Sequence, residues 1–188
     1  MNNILLIGTG GCGNKLLNTA IDIIKPRVDL QNNYDYRFIN SNDNEIKTLS
    51  NYNPRENGLT INGDGTGGSQ AKAKKSLSAD RTKIINHFKS YIYKYQSVVI
   101  MSSSDGGFGS GSLPILTQAI RMIDPDIKIN LLIAQPKLSS RPIRLENALN
   151  SYVDILKLMK TYNDDGAKMI NSVIFIDNNN MEDEMQFN

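Results

Sequence analysis

A chain of 188 residues is long enough for one domain with a sizeable core and too short for two comfortable ones. Its 21 basic and 19 acidic residues are spread along the sequence, so a net charge of +2 carries no electrostatic footprint for direct nucleic-acid binding. One cysteine and one histidine exclude an internal disulfide and a Cys/His zinc site. No stretch approaches the ~20 apolar residues of a membrane span, and Met1 leads toward a strand instead of a signal peptide. No membrane partner is therefore expected, and a cytoplasmic location is.

Ile4-Leu-Leu-Ile7 is a continuous apolar run of the kind buried on both faces of a parallel sheet, and it ends in Gly8-Thr-Gly-Gly-Cys-Gly-Asn14. Lys15–Ile24 has helical spacing and stops before Pro26. Gly8, Gly10 and Gly13 satisfy the dinucleotide fingerprint, in which glycines let a pyrophosphate approach the helix N-terminus. Arg37-Phe-Ile39 reads as the second strand. A nicotinamide-binding protein should end that strand in an acid, whereas here it ends in Asn40-Ser-Asn-Asp43, which weakens an NAD-dependent oxidoreductase as the alternative reading. Cys12 has no CxxC partner and reads as packing, and His87 lies in a helical stretch as a structural residue.

Leu59-Thr-Ile61 gives a short strand, followed by the glycine-rich Asn62-Gly-Asp-Gly-Thr-Gly-Gly-Ser69, where Asp64 is available to hold Mg²⁺. From Gln70 to Tyr95 the pattern predicts one long basic helix with Leu77, Ile84, Ile85, Phe88 and Ile92 as a core stripe. The stretch around which the chain is organised comes next. Ser97-Val-Val-Ile-Met101 is a strand, and the following loop carries Gly106, Gly107, Gly109 and Gly111. Successive backbone N–H groups in such a loop can face an anion. Ser110 and Ser112 offer hydroxyls, and a helix is predicted from Leu113 with Pro114 in its first turn. Lys128–Ala134 is a further strand, a helix runs from about Ile143 to Met159, and Val173-Ile-Phe-Ile176 is the last strand, ending in Asp177-Asn-Asn-Asn180. Alternating strands and helices predict an α/β fold: a Rossmann-like, mostly parallel sheet with helices on both faces and ligand groups at the strand C-termini.

Three features in order, Gly10-Gly-Cys-Gly-Asn14, Ser104-Asp-Gly-Gly-Phe-Gly-Ser-Gly111 and Phe175-Ile-Asp-Asn178, resemble the nucleotide-binding half of the tubulin and FtsZ superfamily, whose signature loop is GGGTGTG. Asn40-Ser-Asn, Pro136-Lys137 and Leu145-Glu-Asn-Ala148 bring the resemblance nearest to the TubZ proteins of plasmids and phages. The resemblance implies GTP and GDP as ligands, with Mg²⁺. Gly10, Gly11, Cys12 and Gly13 would lie along the α- and β-phosphates, and Gly106, Gly107, Phe108, Gly109, Ser110 and Gly111 on their other side. Asp64, Gly65 and Thr66 would approach the γ-phosphate and its metal. Asn178 matches the asparagine that hydrogen-bonds guanine, and Asn14, Asn40, Glu146 and Asn147 fall toward the ribose and base. Two positions depart from the signature: Asp105 stands at its first glycine and Phe108 at its first threonine. A carboxylate beside phosphate is repulsive unless a metal or a basic residue intervenes.

The resemblance further implies a parent GTPase that assembles head to tail with itself into filaments. Its active site is completed by a neighbouring subunit, and it moves plasmid or phage DNA through a DNA-binding adaptor. Residues 1–188 correspond to the GTP-binding domain, and Met181–Asn188 would open the family's central helix. The rest of that helix, the catalytic acidic loop and a C-terminal domain are expected to lie outside this sequence, so no catalytic residue is assigned within it and little hydrolysis is expected of it alone. A degenerate, non-catalytic nucleotide-binding or interaction module is the other alternative.

Overall fold

A computed structural model describes residues 4–30, 33–61, 64–162, 166 and 168–179. The strands β1 (Ile4–Thr9) and β4 (Ser97–Ser103) form its centre. In β1, Leu5 and Ile7 enter one core while Leu6 enters the other, which is why the strand is apolar without alternation. With β2 (Tyr34–Asn40), β3 (Gly58–Thr60), β5 (Lys128–Ala134) and β6 (Ser172–Ile176), they make a wholly parallel sheet in the order β3-β2-β1-β4-β5-β6.

Helices cover both faces, unequally. On one face α1 (Gly10–Ile24) packs Leu17 and Ile21 on Leu6, Phe38 and Met101, beside Ile46 from the segment after β2. On the other, α2 (Gln70–Ala79), α3 (Arg81–Lys89), α4 (Phe108–Ile123) and α5 (Pro142–Lys160) share the larger core. Leu77, Ile84, Phe88 and Ile92 are fully buried there, as the stripe requires.

Three helix boundaries differ from the sequence pattern. The single helix expected over residues 70–95 is two, α2 and α3, followed by a 3-10 turn at Ile92–Lys94. Asp80, at φ −92° and ψ 14°, leaves helical geometry, and its N–H turns back to the carbonyls of Ser76 and Ser78. The helix α1 starts at Gly10 instead of Lys15, because glycine at position 13 lets the first turn lie directly on β4. Similarly α4 starts at Phe108, so Pro114 sits in the helix interior and not in its first turn. Poor helix formers head both helices because the backbone approach they permit outweighs their propensity, a cost of about 1 kcal/mol per glycine relative to alanine.

His87 packs edge-on against the rings of Phe88 and Tyr91. Burial, and then the Arg37 and Lys83 charges, push its pKa down to about 4. The folded state therefore disfavours protonation, so this contribution to stability is complete above pH 6.5 and declines as pH falls toward 4. With its partial exposure discounted, we expect wild type to lose about 1 kcal/mol more than His87→Phe between pH 7 and pH 5 in urea denaturation. Parallel pH profiles would show that the imidazole does not titrate differently on folding.

Candidate functional site

The strand order reverses between β1 and β4, and the crevice outside the C-terminal ends at such a reversal is where open α/β sheets bind ligands. A cavity of about 420 Å³ lies there. Four strand ends and one helix build it: Gly10, Gly11 and Cys12 after β1; Asn40, Ser41, Asn42 and Glu45 at and after β2; Asp64, Gly65, Thr66, Gly67 and Gly68 after β3; Ser103, Gly106, Gly107, Phe108 and Gly109 at and after β4; and Arg144 in α5.

The N-termini of α1 and α4 both open into this cavity. Neither has a side-chain cap, and neither carries an acidic residue in its first turn. Thr9, at the capping position of α1, turns its hydroxyl to Ser112 Oγ at 2.7 Å instead. Two sets of first-turn N–H groups, each at the positive end of a helix, are thus left for an anion. A larger groove of about 570 Å³ lies between α2 and α5, where a single, capped helix N-terminus contributes to the lining. There Ser69 caps α2 by accepting from the Lys72 N–H (3.3 Å), and Lys74 is already paired with Asp154 (2.5 Å).

Glycine is required where the loops touch backbone to backbone. Gly10 has φ +71°, and a Cβ there would stand 2.7 Å from the Gly109 nitrogen. At Gly107 a Cβ would meet the Gly68 carbonyl carbon at 2.4 Å. These contacts join the three glycine loops into one wall. Gly13 and Gly111 lie outside the lining: the first faces β4, and a Cβ on the second would meet Ala73 at 2.9 Å.

The loop hydroxyls serve the wall itself and do not face a ligand. Ser110 Oγ donates to the Gly106 carbonyl and accepts from Gln70 Nε2 (2.7 Å), while Ser112 Oγ donates to the Gly109 carbonyl (2.7 Å). Phe108 contributes to the cavity at the head of α4 yet is buried in the large core, so its ring replaces a hydroxyl without filling the cavity. Cys12 keeps exposed surface at the cavity, and the partial desolvation of its thiol there and then the Asp105 charge raise it above its ordinary range, which keeps it protonated at neutral pH.

Among the asparagines assigned to the ribose and base, Asn40 lies on the cavity wall and donates to Glu45 Oε2 (3.1 Å). Asn14 is on the buried side of α1, donating to the Ile39 carbonyl at 3.0 Å. Asn147 is buried beside the site and ties two loops together, donating to the Gly68 (3.0 Å) and Asp105 (3.2 Å) carbonyls. Glu146 is exposed on α5, and Asn178 lies beyond β6 with its amide donating to the Gln135 carbonyl at 2.6 Å; neither lines the cavity. Asn62, Gly63 and the segment 181–188 lie outside the described residues.

Charge on the wall is uneven. Glu45 and Asp64 are its carboxylates, and Arg144 is its one cation among the described residues. Asp105, only 4% exposed, is not part of the lining; its carboxylate is paired with Arg144 at 2.7 Å. Among the described residues no three His, Cys, Asp or Glu side chains group as a metal site. A divalent ion here would have to draw most of its ligands from phosphate oxygens and water, the habit of Mg²⁺ in nucleotide sites.

Sequence reasoning had assigned no site role to Ser41, Asn42, Glu45, Gly67, Gly68, Ser103 or Arg144, although Gly67 and Gly68 lie in the glycine-rich loop and Ser41 and Asn42 in the Asn40-Ser-Asn stretch that it quoted. All but the last sit at or shortly after a strand's C-terminal end and were findable by that rule. Arg144 reaches the cavity only because α5 returns across the sheet.

The model of the tubulin/FtsZ family GTPase domain matches residues 3–186. The chain belongs to this family, whose GTPase domain binds GTP and GDP. It is 23% identical over 186 residues to the tubulin-like protein CetZ of Pyrococcus horikoshii, covering 95% of this chain and 45% of that protein. Among solved structures, the tail-truncated TubZ of Clostridium botulinum phage c-st matches with a TM-score of 0.77 at 23% identity, over 95% of this chain and 54% of that one. CetZ2 of Haloferax volcanii, solved as a GTPγS-bound protofilament, matches with a TM-score of 0.75 at 20% identity, over 94% and 49%. The chain spans about half the length of these relatives. Among the described residues no helix is long and apolar enough to cross a membrane.

Proposed function

We propose that this chain binds GTP and GDP, with Mg²⁺, in the cavity between α1 and α4, as the nucleotide-binding domain of a filament-forming cytoskeletal GTPase. The observation that carries the reading is the pair of uncapped, acid-free helix N-termini opening onto one cavity. An NAD site would use only the first of them. Backbone N–H groups from Gly10 to Cys12 and from Gly107 to Gly109 would hold the phosphates. Asp64 would approach Mg²⁺ beside the γ-phosphate, with Glu45 across the same wall, and the ion when bound would neutralise phosphate charge. Asn40 would face the ribose, and Asn178, which lies outside the lining with its amide on the Gln135 carbonyl, would have to turn toward guanine to meet it.

Head-to-tail self-assembly is supported by the protofilament in which the CetZ2 relative was solved. Likeness to a phage TubZ supports segregation of plasmid or phage DNA, through an adaptor, as the cellular task. Hydrolysis would require a neighbouring subunit. The test is calorimetric titration with GTP, ATP and NAD, each with and without Mg²⁺. Selective, Mg²⁺-strengthened GTP binding is expected, and NAD binding without GTP binding would overturn the reading.

A further inference from the structure

The helix α5 is apolar on two opposite faces, and only one of them is packed against the domain. Ala148, Ile155 and Leu158 are buried on the inner face. About 180° round the helix axis from them, Leu149, Val153 and Leu156 stand 66%, 48% and 53% exposed. A surface helix ordinarily carries one apolar stripe and turns polar side chains outward. Beside the outer stripe, Tyr152 meets Phe175 of the edge strand β6 ring edge to ring face, with centroids 5.7 Å apart, and Phe175 is itself exposed. The apolar surface therefore runs from α5 to the rim of the sheet. Exposed apolar side chains scattered singly need no explanation, but a contiguous patch on the order of several hundred Å² marks a site of association.

Extended by one step at each end, the outer stripe reads Glu146, Leu149, Val153, Leu156, Lys160, in alternating steps of three and four residues. That is the spacing of a seam between two packed helices. Its two ends are exposed and oppositely charged, they lie seven positions either side of Val153, and neither is paired among the described residues.

We propose that this face of α5 is a docking surface for a second copy of the chain, the two α5 helices packing antiparallel across a two-fold axis near Val153. The charges select both the occupant and its direction. Antiparallel packing brings Glu146 of each copy toward Lys160 of the other and opposes the two helix dipoles, whereas parallel packing sets glutamate on glutamate and lysine on lysine. A two-fold contact uses the same patch twice, so this one stripe is its own complement. Leu149, Val153 and Leu156 form the dry centre. With a single helix face at its centre, the interface falls at the low end of the ~800 Å² per partner of standard complexes, and micromolar association is expected. None of the stripe residues lines the anion cavity, so this pairing needs no nucleotide and is distinct from head-to-tail assembly.

The experiment is sedimentation velocity of the nucleotide-free chain in EDTA over a range of protein concentrations, with thermal midpoints recorded for each variant. A reversible species of two protomers is expected. Val153→Asp and Leu156→Glu should each weaken it about tenfold or more with little change in thermal midpoint, since both side chains are about half exposed. Glu146→Lys and Lys160→Glu should each weaken it severalfold, and the double reversal Glu146→Lys/Lys160→Glu should recover most of that loss. Single protomers at every concentration would overturn the proposal and leave the face to further parent chain or to a different partner. A two-protomer species indifferent to Val153→Asp and Leu156→Glu would overturn it by locating the contact elsewhere. An open-ended series of larger species would do so too, because a two-fold contact closes at two copies. Failure of the double reversal to recover association overturns the antiparallel arrangement, and this arm stands even if a stripe variant does not fold.

Discussion

Gly13→Ala is expected to destabilise the fold by about 3 kcal/mol or more, a cost at the upper end of overpacking. The new Cβ would lie 2.1 Å from the Met101 carbonyl oxygen, 2.9 Å from its carbon and 3.0 Å from Ser102 Cα. All three are backbone atoms of β4, so no rotamer change relieves the overlap. Either α1 lifts from the sheet, exposing Leu17 and Ile21, or β4 shifts against its neighbours. Urea unfolding should show the midpoint falling with an unchanged slope. An unchanged midpoint would mean that α1 does not lie this close to β4.

Gly107→Ala should act chiefly on binding. Its Cβ would meet Gly68 carbon at 2.4 Å, Ser69 nitrogen at 2.6 Å and Gly68 Cα at 2.7 Å, again backbone only. The clash falls between two cavity loops, so the loops can separate while the core stays packed. Separation moves the α4 N-terminus and the loop at residues 65–68 apart, and a displacement near 1 Å of positioning groups costs about 100-fold. GTP affinity is expected to fall by about that factor, with stability reduced by about 1 kcal/mol. Wild-type affinity in this variant would show that the cavity does not depend on contact between the loops. A useful control is Gly67→Ala, where a Cβ meets nothing within 4 Å and φ of +56° is the only obstacle.

How much of this was legible in the sequence divides along physical lines. Strands β1, β4 and β5 were legible because burial on both faces forces continuous apolar runs. The fold class followed from alternation with helical patterns, and the glycine loops followed from composition. Helix starts at Gly10 and Phe108 were not legible, since local propensity disfavours glycine in helices and only contact between distant backbones explains it there. The break at Asp80 was hidden because the apolar stripe continues through it. At Asp105 the chemistry stated the condition, an intervening cation, but nothing local indicated that Arg144 would meet it from across the sheet.

The placement of β1 has a consequence for the order in which the molecule assembles. In chain order the leading strand of this sheet is an inner one: it pairs with β2 on one side and, from Ile4 to Gly8, with Ser97 to Met101 on the other. During translation, β1, α1, β2 and β3 can gather around the smaller core, but Leu5 and Ile7 have no complete partner layer until β4 and α4 emerge. The larger core and the anion cavity therefore close together, late, and through contacts distant in sequence. Parallel sheets with such non-local pairing fold slowly, on the order of milliseconds to seconds, and spend that interval with strand edges open to other chains.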